Sequence, residues 1–417
     1  MKNQAKAQEG RTSLDYYLPS SNSTQSLGSH GNRQSGLASK FNIPFLIVVA
    51  LLVLVGLLTV YSAVSHDSET YSFSRQCAGV GIGIVAMLIM WNFDYRHLEN
   101  MVGILLVINV VLILSPHLPV IGVESKGAKS WIKIGMTVQP GEFAKVTVLF
   151  LAASLVAKYG GRLDDPREYC KCVGIMAIPF LCIMTQPDLG TGLVYLFIDA
   201  IALIVGGARP KYILLTIAVA ALAVVLVLVL DEFLKYDTGD GTYEYKILKN
   251  YQRNRITVFL NPDSDPTGDG YNLKQAQIAI GSGGFFGKGF GNGTQTALNY
   301  LPEAPTDFIF CVLAEEAGFV GVAVLLILYI LLIKQSFNIA KNSSDLFGSI
   351  LVMCVVGMWL FQILENIGMD CGLMPITGIP LPFMSYGSSF MVVNFAMLGI
   401  IGSVWKHSVT SSRGMNL

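Results

Sequence analysis

The sequence predicts an all-α polytopic membrane protein, a bundle of ten transmembrane helices with a long extracellular loop between helices 7 and 8. The 417-residue chain has a mean hydropathy of +0.56, and only 13% of its residues are charged. Several apolar stretches approach or exceed the roughly 20 residues that a helix needs to cross a bilayer. The formal net charge is zero, so nothing in the composition indicates nucleic-acid binding.

The ten predicted spans follow the apolar stretches in chain order. They cover about residues 41–62, 77–93, 101–116, 142–157, 173–186, 189–207, 212–230, 307–333, 349–369 and 388–405. A tight turn at Pro187 separates the fifth span from the sixth, and a single long helix is the alternative interpretation there.

Two tails flank the membrane domain, which we place at 41–406. Residues 1–40 are rich in Ser, Gly, Asn and Gln, so they cannot bury a core and are expected to be disordered. They are also too polar for a signal peptide. Residues 407–417 form the second tail.

The basic residues of the short loops predict the orientation. They follow every second span: Arg96, then Lys158, Arg162, Arg167 and Lys171, then Arg209 and Lys211, then Lys334 and Lys341, then Lys406 and Arg413. Cytoplasmic loops carry an excess of Lys and Arg, so both termini are expected to be cytoplasmic and the 231–306 loop extracellular. This alternation holds only if spans five and six are separate.

Three stretches outside the spans have distinct characters. Residues 247–260 mix basic, aromatic and apolar side chains, which indicates an interfacial helix. The glycine-rich run 281–293 matches no nucleotide-binding pattern and is interpreted as tight turns. The apolar run 368–388 contains three prolines that forbid a continuous helix, so we expect a re-entrant segment bordering an outward-facing cavity. The alternative is an apolar loop resting on the bundle.

Asp307 is the first candidate for a functional residue. It lies where the long polar loop ends and an apolar helix begins, and ionisable groups at membrane depth are costly and commonly functional. The alternative is a carboxylate that only suits a helix N-terminus, where the helix dipole favours negative charge. Glu315 and Glu316, about two turns further on, are interpreted as helix-packing residues.

Other charged and aromatic residues could line the same cavity. Glu142 and Lys145 are three apart at the start of span four, within ion-pair reach, and a purely structural ion pair is the alternative. Asp188 is either a second acidic site or simple turn chemistry. Arg253 and Arg255 could clamp a diphosphate or attract anionic lipid headgroups. Trp131 lines the cavity mouth or belongs to the aromatic belt.

Several motifs resemble signature segments of the SEDS family (shape, elongation, division and sporulation) and occur in family order. They are 127–132 (Gly-Ala-Lys-Ser-Trp-Ile), 139–145 (Gln-Pro-Gly-Glu-Phe-Ala-Lys), 186–191 (Gln-Pro-Asp-Leu-Gly-Thr), 278–284 (Ile-Ala-Ile-Gly-Ser-Gly-Gly), 301–303 (Leu-Pro-Glu), 306–310 (Thr-Asp-Phe-Ile-Phe) and 380–387 (Pro-Leu-Pro-Phe-Met-Ser-Tyr-Gly). Segments 261–266 and 293–295 are more similar to the rod-shape branch, RodA, than to the division branch, FtsW.

The resemblance implies a peptidoglycan glycosyltransferase of the bacterial cytoplasmic membrane that polymerises lipid II on the outer side and releases undecaprenyl diphosphate. It also implies a class B penicillin-binding protein as partner. The family's essential aspartate matches Asp307, which would be the general base, and its important polar and loop positions match Trp131, Glu142, Lys145 and Asp188.

A Mg²⁺ or Mn²⁺ ion held partly by Asp307 is expected with the diphosphate. Pro305 stands where the family usually has His, which puts a role for that His in doubt here. A flippase for lipid-linked precursor and a non-catalytic scaffold for a penicillin-binding protein are the alternative functions.

Overall fold

A computed structural model describes residues 42–65, 71–118, 122–125, 128–134, 136–160, 163–186, 188–237, 243–245, 248 and 250–414. The predicted disordered tail, 1–40, and the predicted turn residue Pro187 lie outside these residues. At the other terminus the last helix continues to Gly414, so most of the predicted C-terminal tail is helical.

A helix lies at each of the ten predicted spans. These helices are α1 (Ile43–Ser65), α2 (Phe73–Asn92), α3 (Val102–Leu114), α4 (Pro140–Lys158), α5 (Pro166–Met184), α6 (Leu189–Val205), α7 (Pro210–Phe233), α11 (Ile309–Lys341), α12 (Leu346–Asp370) and α13 (Ser388–Gly414). Helices α5 and α6 are separate, because α5 ends at Met184 and Asp188 caps the start of α6.

Length and apolar composition identify seven of the described helices as membrane spans, namely α1, α2, α4, α7, α11, α12 and α13. Helices α3 and α6 are apolar but shorter. Helix α5 carries three charged residues near its start and Pro179 inside. The protein is therefore a helical polytopic membrane protein, and ten crossings remain the prediction from the sequence.

The core of the bundle is formed by α4, α12 and α13, whose side chains are mostly buried. Helix α12 packs against α4, α6 and α11, and α13 runs along α2. Glycines permit the close approach of these last two helices: a Cβ at Gly402 would lie 2.1 Å from the Trp91 ring, and one at Gly399 would lie 2.4 Å from the Met87 carbonyl oxygen. Helix α7 buries only Asp231 and so presents its apolar surface to lipid in a membrane.

Two small antiparallel sheets lie in the connections between helices, and the sequence did not predict them. Strands β1 (Gly122–Ser125), β2 (Ala128–Ile134) and β3 (Met136–Val138) form a sheet in the order β1-β2-β3 between α3 and α4. In its register Val123 faces Trp131 and Ile132 faces Val138. Strands β4 (Tyr236–Asp237) and β5 (Tyr243–Glu244) pair after α7.

The long connection between α7 and α11 contains three helices. Helix α8 (Asn250–Leu260) confirms a helix over most of the predicted stretch 247–260, of which residues 247 and 249 lie outside the described part of the chain. Helices α9 (Asp269–Gly283) and the short α10 (Thr294–Ala297) were not predicted. The first three residues of the predicted glycine run, 281–283, instead end helix α9, and the remainder forms turns, as predicted, with positive φ at Gly284, Gly287, Gly289 and Gly291. A Cβ at Gly287 would lie 2.1 Å from the Glu316 carbonyl oxygen, so this turn packs directly against α11.

Helix α11 is interrupted at Gly318, where φ is 63° and ψ is −162°. Glu315 and Glu316, the two acidic residues just before the break, are buried, and they hydrogen-bond to neighbouring segments of the protein. Glu315 accepts hydrogen bonds from Lys288 Nζ at 2.5 Å and from the Thr294 amide at 2.9 Å, and Glu316 accepts one from the Ser62 hydroxyl. These contacts fit the predicted packing role, and they fasten the glycine-rich turns to the bundle.

Candidate functional site

A cavity of about 450 Å³ opens between the start of α2, strand β2, the starts of α4 and α6, and the non-helical segments before α11 and α13. This volume lies within the roughly 300–1,000 Å³ of small-molecule sites. Five of the predicted site residues line it: Trp131, Glu142, Lys145, Asp188 and Asp307. The structure thus brings together residues that are up to 176 positions apart in the chain (307 − 131).

Asp307 is held in a tight turn directly before α11. Its amide donates to the Glu303 carbonyl oxygen at 3.1 Å, and its own carbonyl oxygen accepts from Asn366 Nδ2 at 2.7 Å. The same Asn366 amide donates to the Ile379 carbonyl oxygen at 2.9 Å. Asp307 precedes the first helical residue, Ile309, by two positions, and its backbone is tied through Asn366 to the segment that forms the neighbouring wall.

That wall is the proline-containing segment between α12 and α13, 371–387. It is non-helical and largely buried, and it borders the cavity through Gly378, Ile379 and Pro380. Its backbone is satisfied by the protein, since Tyr329 donates to the Pro382 carbonyl oxygen at 2.6 Å and the Tyr386 amide donates to the Pro305 carbonyl oxygen at 2.8 Å. The prediction of irregular backbone beside a cavity is confirmed.

Gly378 gives the Asp307 carboxylate its space. Its φ is +72°, and a Cβ there would lie 3.2 Å from Asp307 Oδ2 and 3.7 Å from Arg255 Nη2. A side chain at this position would be strained and would push against the carboxylate.

We expect Gly378→Ala to lower any activity that depends on the Asp307 carboxylate by about tenfold or more, because a small displacement of a reacting group has a large effect on rate. Gly207→Ala is the matched control, since Gly207 has a φ of +80° and a Cβ there would touch nothing within 4 Å. Initial rates and thermal unfolding are measured for both variants. Equal losses of rate would show that backbone strain alone, and not contact with Asp307, explains the effect.

Glu142 and Lys145 form a buried ion pair at the start of α4. The Lys145 ammonium lies 2.5 Å from Glu142 Oε1, and the two residues are only 2% and 4% exposed, respectively. The ammonium also lies 5.6 Å from the centre of the Phe390 ring. Glu142 Oε2 has no hydrogen-bond partner among the described residues. The predicted pairing is confirmed, and one carboxylate oxygen remains to receive a donor.

Asp188 caps α6 as well as lining the cavity. Its Oδ1 accepts from the Thr191 amide at 2.9 Å, and its Oδ2 accepts from the Thr191 hydroxyl at 2.8 Å and from Gln139 Nε2 at 3.4 Å. The two interpretations of the sequence therefore both hold: Asp188 stabilises the turn before α6, and it also lines the cavity. Trp131 reaches the cavity from the central strand β2.

The two predicted arginines lie outside the set of residues that line the cavity. Arg253 pairs with Asp231 at 3.5 Å and with Glu232, and its guanidinium lies 3.8 Å from the centre of the Tyr245 ring. Arg255 donates from Nη1 to the Thr377 carbonyl oxygen at 2.7 Å, which ties it to the cavity wall at Gly378.

The sequence interpretation missed other residues of the cavity, among them Tyr71, Arg75 and Glu303. The Tyr71 hydroxyl and the Thr306 hydroxyl each donate to Glu303 Oε2 at 3.1 Å. Burial and the Glu303 carboxylate raise the pKa of Tyr71 well above its ordinary value, so the phenol stays protonated and acts as a donor. The Leu-Pro-Glu motif was the available signal for Glu303, whose position four residues before Asp307 places it in the same turn.

Apolar spans surround a cavity with six charged lining residues. Four are carboxylates (Glu142, Asp188, Glu303 and Asp307) and two are basic (Arg75 and Lys145). This arrangement defines a class of protein. It is a multi-pass membrane protein that handles a polar or charged ligand in a protein-lined cavity.

The chain belongs to the FtsW/RodA/SpoVE family, whose model, described as cell cycle protein, matches residues 41–410. It is 35% identical over 370 residues to stage V sporulation protein E of Bacillus subtilis, covering 87% of this chain and 96% of that protein. It is also 35% identical over 375 residues to peptidoglycan glycosyltransferase MrdB of Escherichia coli K12, covering 89% of this chain and 94% of that protein.

Solved structures agree with this assignment. One, described as structural coordination of polymerization and crosslinking by a peptidoglycan synthase complex, matches with a TM-score of 0.71 and 28% identity over 87% of this chain and 97% of that one. Rod shape determining protein RodA of Thermus thermophilus matches with a TM-score of 0.60 and 26% identity, over 87% and 95% of the two chains. The predicted family is confirmed, and the protein is a multi-pass protein of the cytoplasmic membrane. FtsW, RodA and SpoVE relatives all match, so the RodA-like branch stays a prediction.

Proposed function

We propose that this protein is a peptidoglycan glycosyltransferase that polymerises lipid II into β-1,4-linked glycan strands and releases undecaprenyl diphosphate. The observation that carries the proposal is the position of Asp307: a carboxylate fixed in a turn, lining a cavity in a chain whose relatives are named peptidoglycan glycosyltransferases. In this assignment the protein acts in cell-wall synthesis.

Asp307 is the general base of the proposed reaction. It accepts the proton of the acceptor sugar's 4-hydroxyl while that oxygen attacks the anomeric carbon of the donor. The bond from that carbon to the diphosphate breaks, and inversion at the carbon gives the β-1,4 linkage. General-base catalysis requires the carboxylate within hydrogen-bond reach of the hydroxyl. Asn366 serves this by holding the Asp307 backbone against the cavity wall.

Trp131, Glu142, Lys145 and Asp188 are the proposed substrate contacts. Glu142 Oε2 suits a sugar hydroxyl or amide donor, because a buried oxygen without a partner gains most from a new hydrogen bond. The Trp131 ring offers an apolar face for a sugar ring. We assign Arg253 to support of the loop after α7, where Asp231 and Glu232 engage it. Arg255 binds the Thr377 carbonyl oxygen beside Gly378 and so holds the cavity wall next to Asp307.

A divalent cation fits this cavity only in company with the substrate. The described residues contain no group of three or more His, Cys, Asp or Glu side chains placed to hold a metal. Mg²⁺ and Mn²⁺ commonly combine one or two carboxylates with phosphate oxygens. Asp307, assisted by Glu303, would supply the protein oxygens, and the ion would neutralise negative charge on the diphosphate.

We expect EDTA to abolish most polymerisation and Mg²⁺ or Mn²⁺ to restore it. We further expect Mn²⁺ binding, followed by electron paramagnetic resonance, to tighten when undecaprenyl diphosphate is added, because the protein alone offers too few ligands. Full activity in excess chelator would contradict the proposed metal requirement while leaving the role of Asp307 as base intact.

The proposed orientation follows the basic loops: both termini are cytoplasmic, and the cavity faces the outer side of the membrane. The proposed partners are lipid II, the surrounding lipids and a class B penicillin-binding protein that crosslinks the new strands. The similarity to a peptidoglycan synthase complex that coordinates polymerisation and crosslinking supports such a partner.

The decisive experiment supplies purified protein in lipid nanodiscs with lipid II and divalent metal, with and without a class B penicillin-binding protein. Glycan polymer detected by gel electrophoresis supports the proposal. The same protein is reconstituted into vesicles to follow movement of lipid II between leaflets. Movement without polymer would favour a flippase, and neither activity together with tight binding of the partner would favour a scaffold.

A further inference from the structure

The basic side chains of the cavity differ in their availability. Among the described residues that line it, only Arg75 and Lys145 carry positive charge. Lys145 is almost fully buried and its charge is matched by Glu142 at 2.5 Å. Arg75 is exposed to the cavity, and no hydrogen bond or ion pair within the described part of the chain engages its guanidinium. Arg75 is therefore the cation that can meet an incoming anion.

The backbone of Arg75 is fixed against the cavity wall. It lies in the first turn of α2, where its amide donates to the Ser72 carbonyl oxygen at 3.0 Å and its carbonyl oxygen accepts from the Ser388 hydroxyl at 3.1 Å. The neighbouring Gln76 side chain donates to the Ser385 carbonyl oxygen at 3.2 Å and accepts from the Gly387 amide at 3.0 Å. The backbone at Arg75 is therefore already ordered, so that binding an anion orders the side chain alone, which lowers the cost of binding.

The remaining charge of the cavity gives this arginine its importance. The Glu142–Lys145 pair is neutral as a unit, and Arg75 is the remaining cation among the described lining residues, which also include Asp188, Glu303 and Asp307. A diphosphate that enters the cavity can form an ionic contact with this guanidinium without displacing a partner within the described part of the chain. The planar guanidinium also presents a fork of donors that matches two phosphate oxygens, which an ammonium does not.

We propose that Arg75 is the phosphate-binding residue of the cavity and that its guanidinium holds the diphosphate of the lipid-linked substrate while the sugar extends toward Asp307. This inference rests on the proposed function for the identity of the substrate. The binding itself is measurable without turnover, so the two can fail separately.

The test measures binding of undecaprenyl diphosphate to the full-length protein in phosphatidylcholine nanodiscs, in the wild-type background, because this product alone undergoes no turnover. We expect Arg75→Gln to weaken binding by roughly tenfold or more, since it removes charge-assisted hydrogen bonds, and Arg75→Lys to fall between. Arg253→Gln is the matched control, an arginine whose contacts lie outside the cavity, and should bind as the background does. Thermal unfolding of each variant shows whether the fold is retained.

Two comparisons separate the sources of phosphate. Undecaprenyl monophosphate should bind more weakly than the diphosphate, and the difference should shrink in Arg75→Gln. Nanodiscs with phosphatidylglycerol should compete poorly. Unchanged binding of the diphosphate in folded Arg75→Gln, or equal competition by phosphatidylglycerol, would overturn the proposal. If Arg75→Gln weakens binding but the wild-type protein makes no polymer from lipid II, the phosphate site is supported and the glycosyltransferase proposal is refuted.

Discussion

Replacing Asp307 by asparagine is expected to reduce polymerisation of lipid II by roughly 10²–10⁴-fold, the usual contribution of a general base. Asparagine keeps the size of the side chain and leaves the backbone hydrogen bonds to Glu303 and Asn366 in place. The loss should therefore appear in kcat, with normal expression and little change in the unfolding temperature. Single-turnover rates with purified protein and labelled lipid II provide the measurement.

Asp263→Asn is the control for this prediction. Asp263 lies in an exposed turn after α8, pairs with Lys274 and is not among the residues that line the cavity. It should polymerise at the wild-type rate, which excludes a general effect of removing one negative charge from the long connection. If purified Asp307→Asn protein retained polymerase activity within a few-fold of wild type, another group would have to be the base.

The second large effect is expected at the buried ion pair. Lys145→Met should destabilise the protein by about 3–5 kcal/mol, because it leaves the Glu142 carboxylate charged, buried and without its partner. The double variant Glu142→Gln with Lys145→Met should recover most of that stability, since no isolated charge remains. Unfolding in detergent, induced by denaturant or by heat, measures both effects on stability. Both variants should have less than full activity if the pair contacts substrate.

The partly exposed pair Glu168–Lys171 offers a matched comparison, since it has the same spacing on α5, an N–O distance of 3.1 Å and an exposed lysine. Lys171→Met should cost less than about 1 kcal/mol, because solvent screens this pair. Similar losses for Lys145→Met and Lys171→Met would show that burial does not govern the energetics of the α4 pair.

Much of the helical framework could be predicted, because apolar length is a direct consequence of the bilayer. The basic loops further required α5 and α6 to be separate helices, and the structure separates them. Strands β1–β3 and helix α9 were not predicted. Their sequences lack long apolar runs, and a short hairpin or an irregular amphipathic helix gains its stability from tertiary packing that local sequence does not report.

The sequence predicted those site residues whose charge lies next to an apolar span. It could not predict residues whose role depends on which ion pairs form in the folded protein. Asp307, Glu142 and Lys145 are ionisable residues at helix starts, and all three line the cavity. The sequence also indicated Arg253 as a phosphate-binding residue, but in the structure Asp231 and Glu232 at the end of α7 engage it. Arg75 has an unremarkable setting in the sequence, and its importance depends on which cations of the folded protein are already neutralised.

The break at Gly318 separates the position of Asp307 from the rotational phase of the rest of α11, which one continuous helix would couple. Adding or removing a residue in an uninterrupted α-helix rotates everything beyond it by about 100°. Because residues 309–317 and 319–341 are distinct helical pieces, with the joint held by the turn around Gly287, the longer piece can shift its rotational phase without re-aiming Asp307. The surface that the longer piece presents to lipids or to a neighbouring protein can therefore change in sequence without altering the position of the Asp307 carboxylate.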